Sequence, residues 1–110
     1  MAKVKYVLLL PLTYNDKSKV PSDVRRHIFD ELFCLAGGYH IAGEGKGAYR
    51  MKSGDKKVDR SLEVWVVIEE TDQDALKTMV AGFATLLGQE SMYLERMNSQ
   101  VEFIPPSTGG

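Results

Sequence analysis

Apolar residues recur at every second position in two stretches of the chain, from about Lys3 to Leu12 and from about Leu62 to Glu69. A period of two indicates a β-strand with one buried face. The residues predicted to face the core are Val4, Tyr6, Leu8, Leu10, Leu62, Val64, Val66 and Ile68. The alternate positions are also partly apolar, with Val7, Leu9, Trp65 and Val67. We therefore expect two central strands whose second face is only partly polar.

Two other stretches have apolar residues at helical spacing. The first starts at Pro21, a favoured first residue of a helix, and ends at Gly37-Gly38. The second has Thr71 as its predicted N-cap and ends at Gly88. The apolar positions are Val24, Ile28, Phe29, Leu32, Phe33 and Leu35 in the first, and Leu76, Met79, Val80, Phe83, Leu86 and Leu87 in the second. Both stretches predict amphipathic helices, with Cys34 as a small core residue of the first.

A glycine-rich strand around residues 39–51 and a last strand or hairpin at Ser91–Ile104 complete the order β-α-β-β-α-β. This order predicts an α+β fold, a ferredoxin-like βαββαβ sandwich with two helices on one face of an antiparallel sheet. We expect residues 1–104 to form a single domain and residues 105–110 a disordered tail. The helix-free face would expose apolar side chains, so we expect a homodimer through this sheet face. In the alternative, the C-terminal strand and tail fold over that face.

Gly43, Gly45 and Gly47 occupy alternate positions of the glycine-rich strand. Residues two apart share a face, so part of that face is bare backbone, and something is expected to approach it closely. A phosphate-binding loop would have to open a helix, whereas another strand follows here. We therefore expect the first helix, or a ligand lying between helix and sheet, to contact the glycines. On this alternation, His40 would point to the opposite face, near Glu44.

The predicted topology brings three polar segments to one edge of the sheet, namely the loop Thr13–Lys19, the hairpin around Arg50–Arg60 and the junction Gly88–Ser91. Together they supply the polar groups that small-molecule sites use. The candidate ligand-binding residues are Tyr14, Asn15, Gly43, Gly45, Gly47, Arg50, Gln89 and Glu90. In the alternative, Tyr14-Asn15-Asp16 forms a simple turn and the basic hairpin is a solvated surface.

Composition narrows the function classes. The 110 residues include 14 basic and 15 acidic side chains, for a net charge of -1, which argues against nucleic acid as a partner. No apolar run has the ~18 residues of a membrane span. Two histidines and a single cysteine, widely separated, make no metal-ligand spacing, so we expect neither metal nor cofactor. The lone Cys34 fits a cytoplasmic protein.

The segment Leu86-Leu87-Gly88-Gln89-Glu90-Ser91-Met92 resembles a junction found in an uncharacterised family of small bacterial ferredoxin-like domains. Those domains carry a similar Phe-Gly-Gln-Glu-Ser-Val sequence, and this chain departs from it at Leu87, where an aromatic residue is expected. The resemblance implies the fold and no particular reaction.

The sequence thus favours a dimeric ligand-binding or regulatory module for a small polar or anionic molecule. One alternative is a cofactor-independent enzyme of the dimeric α/β-barrel type, either monooxygenase-like or isomerase-like. Its catalytic residues are unknown; the candidates are Glu90 or His40 as base and Tyr14 or Tyr49 as acid, with Arg50 steadying an enolate. Another alternative is an assembly protein without a ligand.

Overall fold

The computed structural model describes residues 2–107 and contains four strands and two helices. In chain order they are β1 Lys3–Pro11, α1 Ser22–Ala36, β2 His40–Arg50, β3 Lys56–Glu69, α2 Gln73–Leu86 and β4 Leu94–Met97. The strands form one antiparallel sheet in the order β2-β3-β1-β4. The predicted ferredoxin-like α+β fold is therefore confirmed.

The core lies between one face of the sheet and the two helices. β1 and β3 pair with Leu8 opposite Val64 and Tyr6 opposite Val66, and all four side chains are buried. The helices contribute the buried residues Ile28 and Leu32 of α1 and Leu76, Val80 and Phe83 of α2. These are the positions that the apolar periodicity predicted, because residues two apart on a strand and three or four apart on a helix share one side.

The opposite side of the sheet, here called the helix-free face, includes Lys5, Val7 and Leu9 of β1 and Ser61, Glu63, Trp65 and Val67 of β3. Val7 is buried, whereas Leu9, Trp65 and Val67 are half-buried. The ammonium of Lys5 lies 3.4 Å from the centre of the Trp65 ring, so a charged side chain covers part of this apolar surface.

The last strand does not fold over the helix-free face as the alternative interpretation expected, although the Phe103 ring beyond it lies 6.0 Å from the ammonium of Lys3 on that face. β4 lies beside β1 within the sheet, and Phe103 and Ile104 remain 69% and 78% exposed. The last strand is also shorter than predicted, since residues 98–107 are irregular. The predicted tail is irregular and exposed at residues 105–107, and residues 108–110 lie outside the described part of the chain.

Four predictions about the helices are wrong, and one of them is Leu86 of α2, which is 44% exposed although its spacing placed it on the apolar arc. Thr71 does not cap α2, because it lies within a short 3-10 turn, Glu70–Asp72, that precedes the helix. Phe33 and Cys34 of α1 are exposed rather than part of the core. Each residue is turned by about 100° from its neighbour on a helix, so the positions after buried Leu32 point away from the sheet. Among residues 2–107, no helix is long and apolar enough to cross a membrane.

The β2–β3 hairpin projects beyond the end of β1. Only Ser61–Glu69 of β3 pair with β1, whereas Lys56–Arg60 pair with β2 alone. The loop that follows β1 continues alongside this projection, where the amide of Leu12 donates to the carbonyl of Arg60 at 3.0 Å. The hairpin, this loop and the α2–β4 junction therefore enclose one end of the sheet.

Candidate functional site

The three alternating glycines lie on the helix-free face. Gly43, Gly45 and Gly47 pair directly with Glu63, Ser61 and Asp59. Directly paired residues of neighbouring strands share a face, and these partners of β3 point away from the helices. The prediction that α1, or a ligand between helix and sheet, approaches the glycines is therefore wrong.

A β-bulge explains the error. The register of β2 against β3 shifts between Ile41 and Gly43, which leaves Ala42 as an extra residue. A bulge reverses the faces of all residues beyond it. As a result Ile41, paired with Val64, is on the helix side, while His40, paired with Trp65, shares the face of the glycines. The sequence pattern had assigned His40 to the opposite face.

The three glycines have different environments. Gly43 has φ +154°, a backbone conformation that side-chain-bearing residues rarely adopt. A Cβ at Gly45 would meet nothing within 4 Å, so the space above this residue is open. At Gly47 a Cβ would lie 2.7 Å from the phenol oxygen of Tyr49, which folds back over the strand. The close approach that the glycines predicted thus occurs at Gly47 alone, and the neighbour is Tyr49.

The structure brings together the three polar segments that topology placed at one edge. The hydrogen bonds that join them include Asn15 Nδ2 to the carbonyl of Gly88 at 2.9 Å, the amide of Lys52 to Glu90 Oε2 at 3.1 Å, and Lys17 Nζ to the carbonyl of Val58 at 3.3 Å. The loop after β1, the hairpin and the α2–β4 junction are therefore one connected surface.

A nearly buried ion pair lies at the centre of this surface. Lys57 Nζ is 3.2 Å from Asp59 Oδ2, and the two side chains are only 13% and 8% exposed. Lys57 also donates to Gln89 Oε1 at 2.5 Å, and Gln89 Nε2 donates to Asn15 Oδ1 at 3.3 Å. These bonds fix the orientation of the Gln89 amide. Removing two charges from water costs several kcal/mol before their attraction offsets it.

The ion pair lines an open groove of about 690 Å³, here called the polar groove. Its other polar side chains include Asn15, Arg50, Ser61, Gln89 and Glu90. A smaller depression of about 280 Å³, here called the glycine hollow, lies over Gly43, Gly45 and Gly47. The two share Leu9, Tyr49 and Ser61, so they form one continuous surface.

Two side chains of this surface lack partners within the described chain. Ser61 is only 8% exposed, and its hydroxyl makes no hydrogen bond to any described residue. Arg50 is exposed and forms no ion pair with residues 2–107. The Ser61 hydroxyl and the Arg50 guanidinium both line the groove without partners and are available to a ligand.

The structure separates the predicted site residues into three groups. Asn15, Tyr49, Arg50, Gln89 and Glu90 line the polar groove, and Gly43, Gly45 and Gly47 line the glycine hollow. Tyr14 lies elsewhere, packed against the core, and the His40 ring contacts Trp65 with the ring centres 4.9 Å apart and the planes tilted by 34°.

The two candidate bases, Glu90 and His40, are both exposed. Glu90 is exposed, and its carboxylate accepts the backbone amide of Lys52. Glu44, which was expected to orient His40, instead pairs with Arg60 at 3.3 Å. Catalytic bases are commonly partly buried next to a charge that shifts their pKa.

Lys57, Asp59 and Ser61 are site residues that are absent from the sequence-based candidates, because charged residues in a hairpin are equally typical of a solvated turn. The available signal was the strand period, which continues towards the hairpin through these three alternate positions. What the sequence did not show is that the loop after β1 and Gln89 would cover the pair.

Two groups near the groove have shifted pKa values. The hydroxyl and amide of Ser18 both donate to Asp16 Oδ1 and lower the pKa of that carboxyl. The phenol of Tyr93 donates to Glu95 Oε1 at 2.9 Å, and this bond raises the pKa of Tyr93. Within residues 2–107, no group of three or more His, Cys, Asp or Glu side chains is close enough to hold a metal ion.

No family model matches this sequence, and no curated protein matches it. Solved structures do match. A phage SAM lyase in complex with S-methyl-5'-thioadenosine has a TM-score of 0.69 and 13% identity, over 87% of this chain and 81% of that chain. CutA1, a stable protein from a psychrotrophic Shewanella, has a TM-score of 0.66 and 14% identity, over 93% of this chain and 85% of that chain. The divalent cation tolerance protein CutA1 of Thermus thermophilus has a TM-score of 0.57 and 16% identity, over 98% of this chain and 86% of that chain.

At these identities the likeness shows the fold alone. The comparisons support a small ferredoxin-like domain, and they identify no family to which the Gly88-Gln89-Glu90-Ser91 junction belongs.

Proposed function

We propose that this protein is a dimeric binding or regulatory module that holds a small polar molecule in the polar groove. The observation that carries this proposal is the Lys57–Asp59 ion pair, nearly buried in the wall of an open groove. A fold rarely gains stability from such a pair, because apolar residues of similar volume serve equally well or better. The same groove is lined by Arg50, which forms no ion pair with residues 2–107, and this supports a role in recognition.

The polar groups of the groove suggest the chemistry of the ligand. Arg50 suits a carboxylate or phosphate, because its guanidinium presents paired donors. Asp59 and Glu90 suit hydrogen-bond donors of the same molecule, and Tyr49 offers an apolar surface. S-methyl-5'-thioadenosine, bound by the phage SAM lyase, combines donors, acceptors and an apolar part, so it is a reasonable first probe.

Self-association is the second part of the proposal. Trp65 and Val67 are half-buried on a sheet face that no helix covers. A second copy packed on the Trp65 and Val67 end of this face, beyond the glycine hollow, would remove that apolar surface from water. The exposed Cys34 is compatible with a reducing cytoplasm, where we place the protein. Assembly without a ligand remains the alternative, whereas the exposure of Glu90 gives no support to the enzyme alternative.

Native mass spectrometry of protein purified from its own host tests both parts. We expect a retained small-molecule mass in the wild type and at least a tenfold lower occupancy in Arg50→Ala, roughly 1.4 kcal/mol of lost binding. Arg26→Ala, which removes an exposed arginine of α1 away from the groove, is the matched control and should retain the molecule.

The ligand proposal would be contradicted if the wild-type protein retained no small-molecule mass in spectra recorded under conditions that preserve weak complexes. Equal ligand occupancy in Arg50→Ala and Arg26→Ala would contradict it as well.

The same spectra report the number of subunits. We expect a dimer that becomes monomeric in Val67→Lys, because this change buries a charge in the proposed interface. A monomeric wild type would reject the dimer and leave the ligand proposal standing.

A further inference from the structure

We propose that the glycine hollow binds a flat, conjugated ring of the ligand, with the Ser61 hydroxyl as its hydrogen-bond partner and the Tyr49 ring as its wall. This inference rests on the proposed function, since it assigns one part of the same ligand to the hollow beside the polar groove.

The floor of the hollow is bare peptide at Gly43 and Gly45. Gly43 and Gly45 have no side chains, and a Cβ built on either would meet nothing within 4 Å. Leu9 and Glu63 of the neighbouring strands form its far side. A planar ring can lie in contact with exposed peptide groups over its whole area, whereas a puckered ring leaves gaps that forfeit dispersion contacts.

Ser61 supplies the polar contact. Its strand neighbours are Pro11 on β1 and Gly45 on β2, and neither has a side chain that can hydrogen-bond. The hydroxyl therefore has no partner among the described residues, on a residue only 8% exposed that lines both the groove and the hollow. Because a hydroxyl both donates and accepts, a ring nitrogen, carbonyl or amide of a ligand in the hollow would pair with it.

Tyr49 closes the end of the hollow. Its phenol lies over Gly47, where only a glycine leaves room for it, and its side chain lines both the groove and the hollow. The residue is 44% exposed, so the ring can rotate to meet a ligand. Aromatic rings prefer an offset-stacked or edge-to-face partner, which is again a flat ring.

A matched pair of probes tests the shape requirement. Benzamide and cyclohexanecarboxamide carry the same neutral amide on a flat and a puckered ring. In a titration followed by amide chemical shifts, we expect benzamide to shift Gly45 and Ser61 and to bind about fivefold more tightly than cyclohexanecarboxamide. Ser61→Ala and Tyr49→Leu should each weaken benzamide by about threefold or more.

Gly45→Val fills the hollow and should abolish the benzamide shifts, whereas Val58→Ala, on the other face of the hairpin, should leave them unchanged. Equal affinity for the two amides, or shifts that remain in Gly45→Val, would overturn the inference. A retained native ligand that is lost in Arg50→Ala but kept in Gly45→Val would also overturn it, and would leave the proposed function intact. If the protein purified from its host retained no ligand but still bound benzamide, the proposed function would be rejected instead.

Discussion

The two faces of the sheet are made by the same strands, yet they differ in what covers them and in what they contain. On the helix-covered face the buried residues of β1 and β3 are apolar apart from the phenol of Tyr6, which donates to Gln73 at 2.6 Å. On the helix-free face, Asp59 and Ser61 are buried although no helix lies above them. One face is closed by apolar packing, and the other is partly open with polar groups in its floor.

This difference separates the residues that hold the fold from those that we assign to function. Apolar burial stabilises the domain without specifying any partner. A buried ion pair and an unpaired hydroxyl contribute little or unfavourably to stability, so their presence on the open face needs another reason. The predictions below test whether the two faces differ in this way.

The largest expected effect comes from a pair of adjacent leucines on β1. Leu8 is fully buried under the helices, and Leu9 is half-buried on the helix-free face. Leu8→Ala should lower the free energy of unfolding by about 4 kcal/mol, because it leaves a cavity that cannot collapse. Leu9→Ala should cost only about 1 kcal/mol. Urea denaturation measures both, and equal losses would mean that the two faces are equally closed.

The ion pair should respond to single and double changes in opposite ways. Lys57→Met leaves the Asp59 carboxylate nearly buried without its cation, so we expect a loss of about 3 kcal/mol in the free energy of unfolding. Lys57→Met with Asp59→Leu removes both charges and should recover most of that loss while weakening ligand binding. If the double variant is no more stable than the single one, the pair is needed for the fold and ceases to support a site.

The glycines of β2 should differ in their tolerance of alanine. Gly43→Ala places a side chain at φ +154°, so we expect it to cost about 1 to 2 kcal/mol of unfolding free energy. Gly45→Ala has open space and ordinary backbone angles, and should change stability by less than about 0.5 kcal/mol. A large loss at Gly45 in thermal or urea denaturation would show that the hollow is occupied by the protein itself.

The smallest expected effect is a titration on the helix-free face. The hydrogen bond to Glu95 should make the phenol of Tyr93 ionise above the ordinary tyrosine pKa of about 10. Because the pKa in the folded state is raised, the stabilisation is present below pH 10 and is lost as the pH rises through the folded-state value. Ultraviolet difference spectra should show this shift, and Glu95→Gln should reduce it; an unshifted Tyr93 would contradict the hydrogen bond.

Much of the fold could be predicted, because the periods of β1, β3, α1 and α2 are strong and each agrees with the tertiary packing. The meeting of the loop after β1, the hairpin and the α2–β4 junction could also be predicted, since strand order alone decides which ends are neighbours. The errors fall where the pattern is weak, as at exposed Phe33 and Cys34, where a wide apolar arc does not show which part faces the sheet.

The sequence by itself determined the order of the elements, the residues of the core and the absence of side chains at three alternate positions of β2. These features depend on local periodicity and composition. Only the tertiary structure decided which face the glycines occupy, since the bulge at Ala42 reverses it. It also decided that Lys57, Asp59 and Ser61 are buried, because burial depends on Gln89 and Pro11, which are distant in sequence and adjacent only after folding.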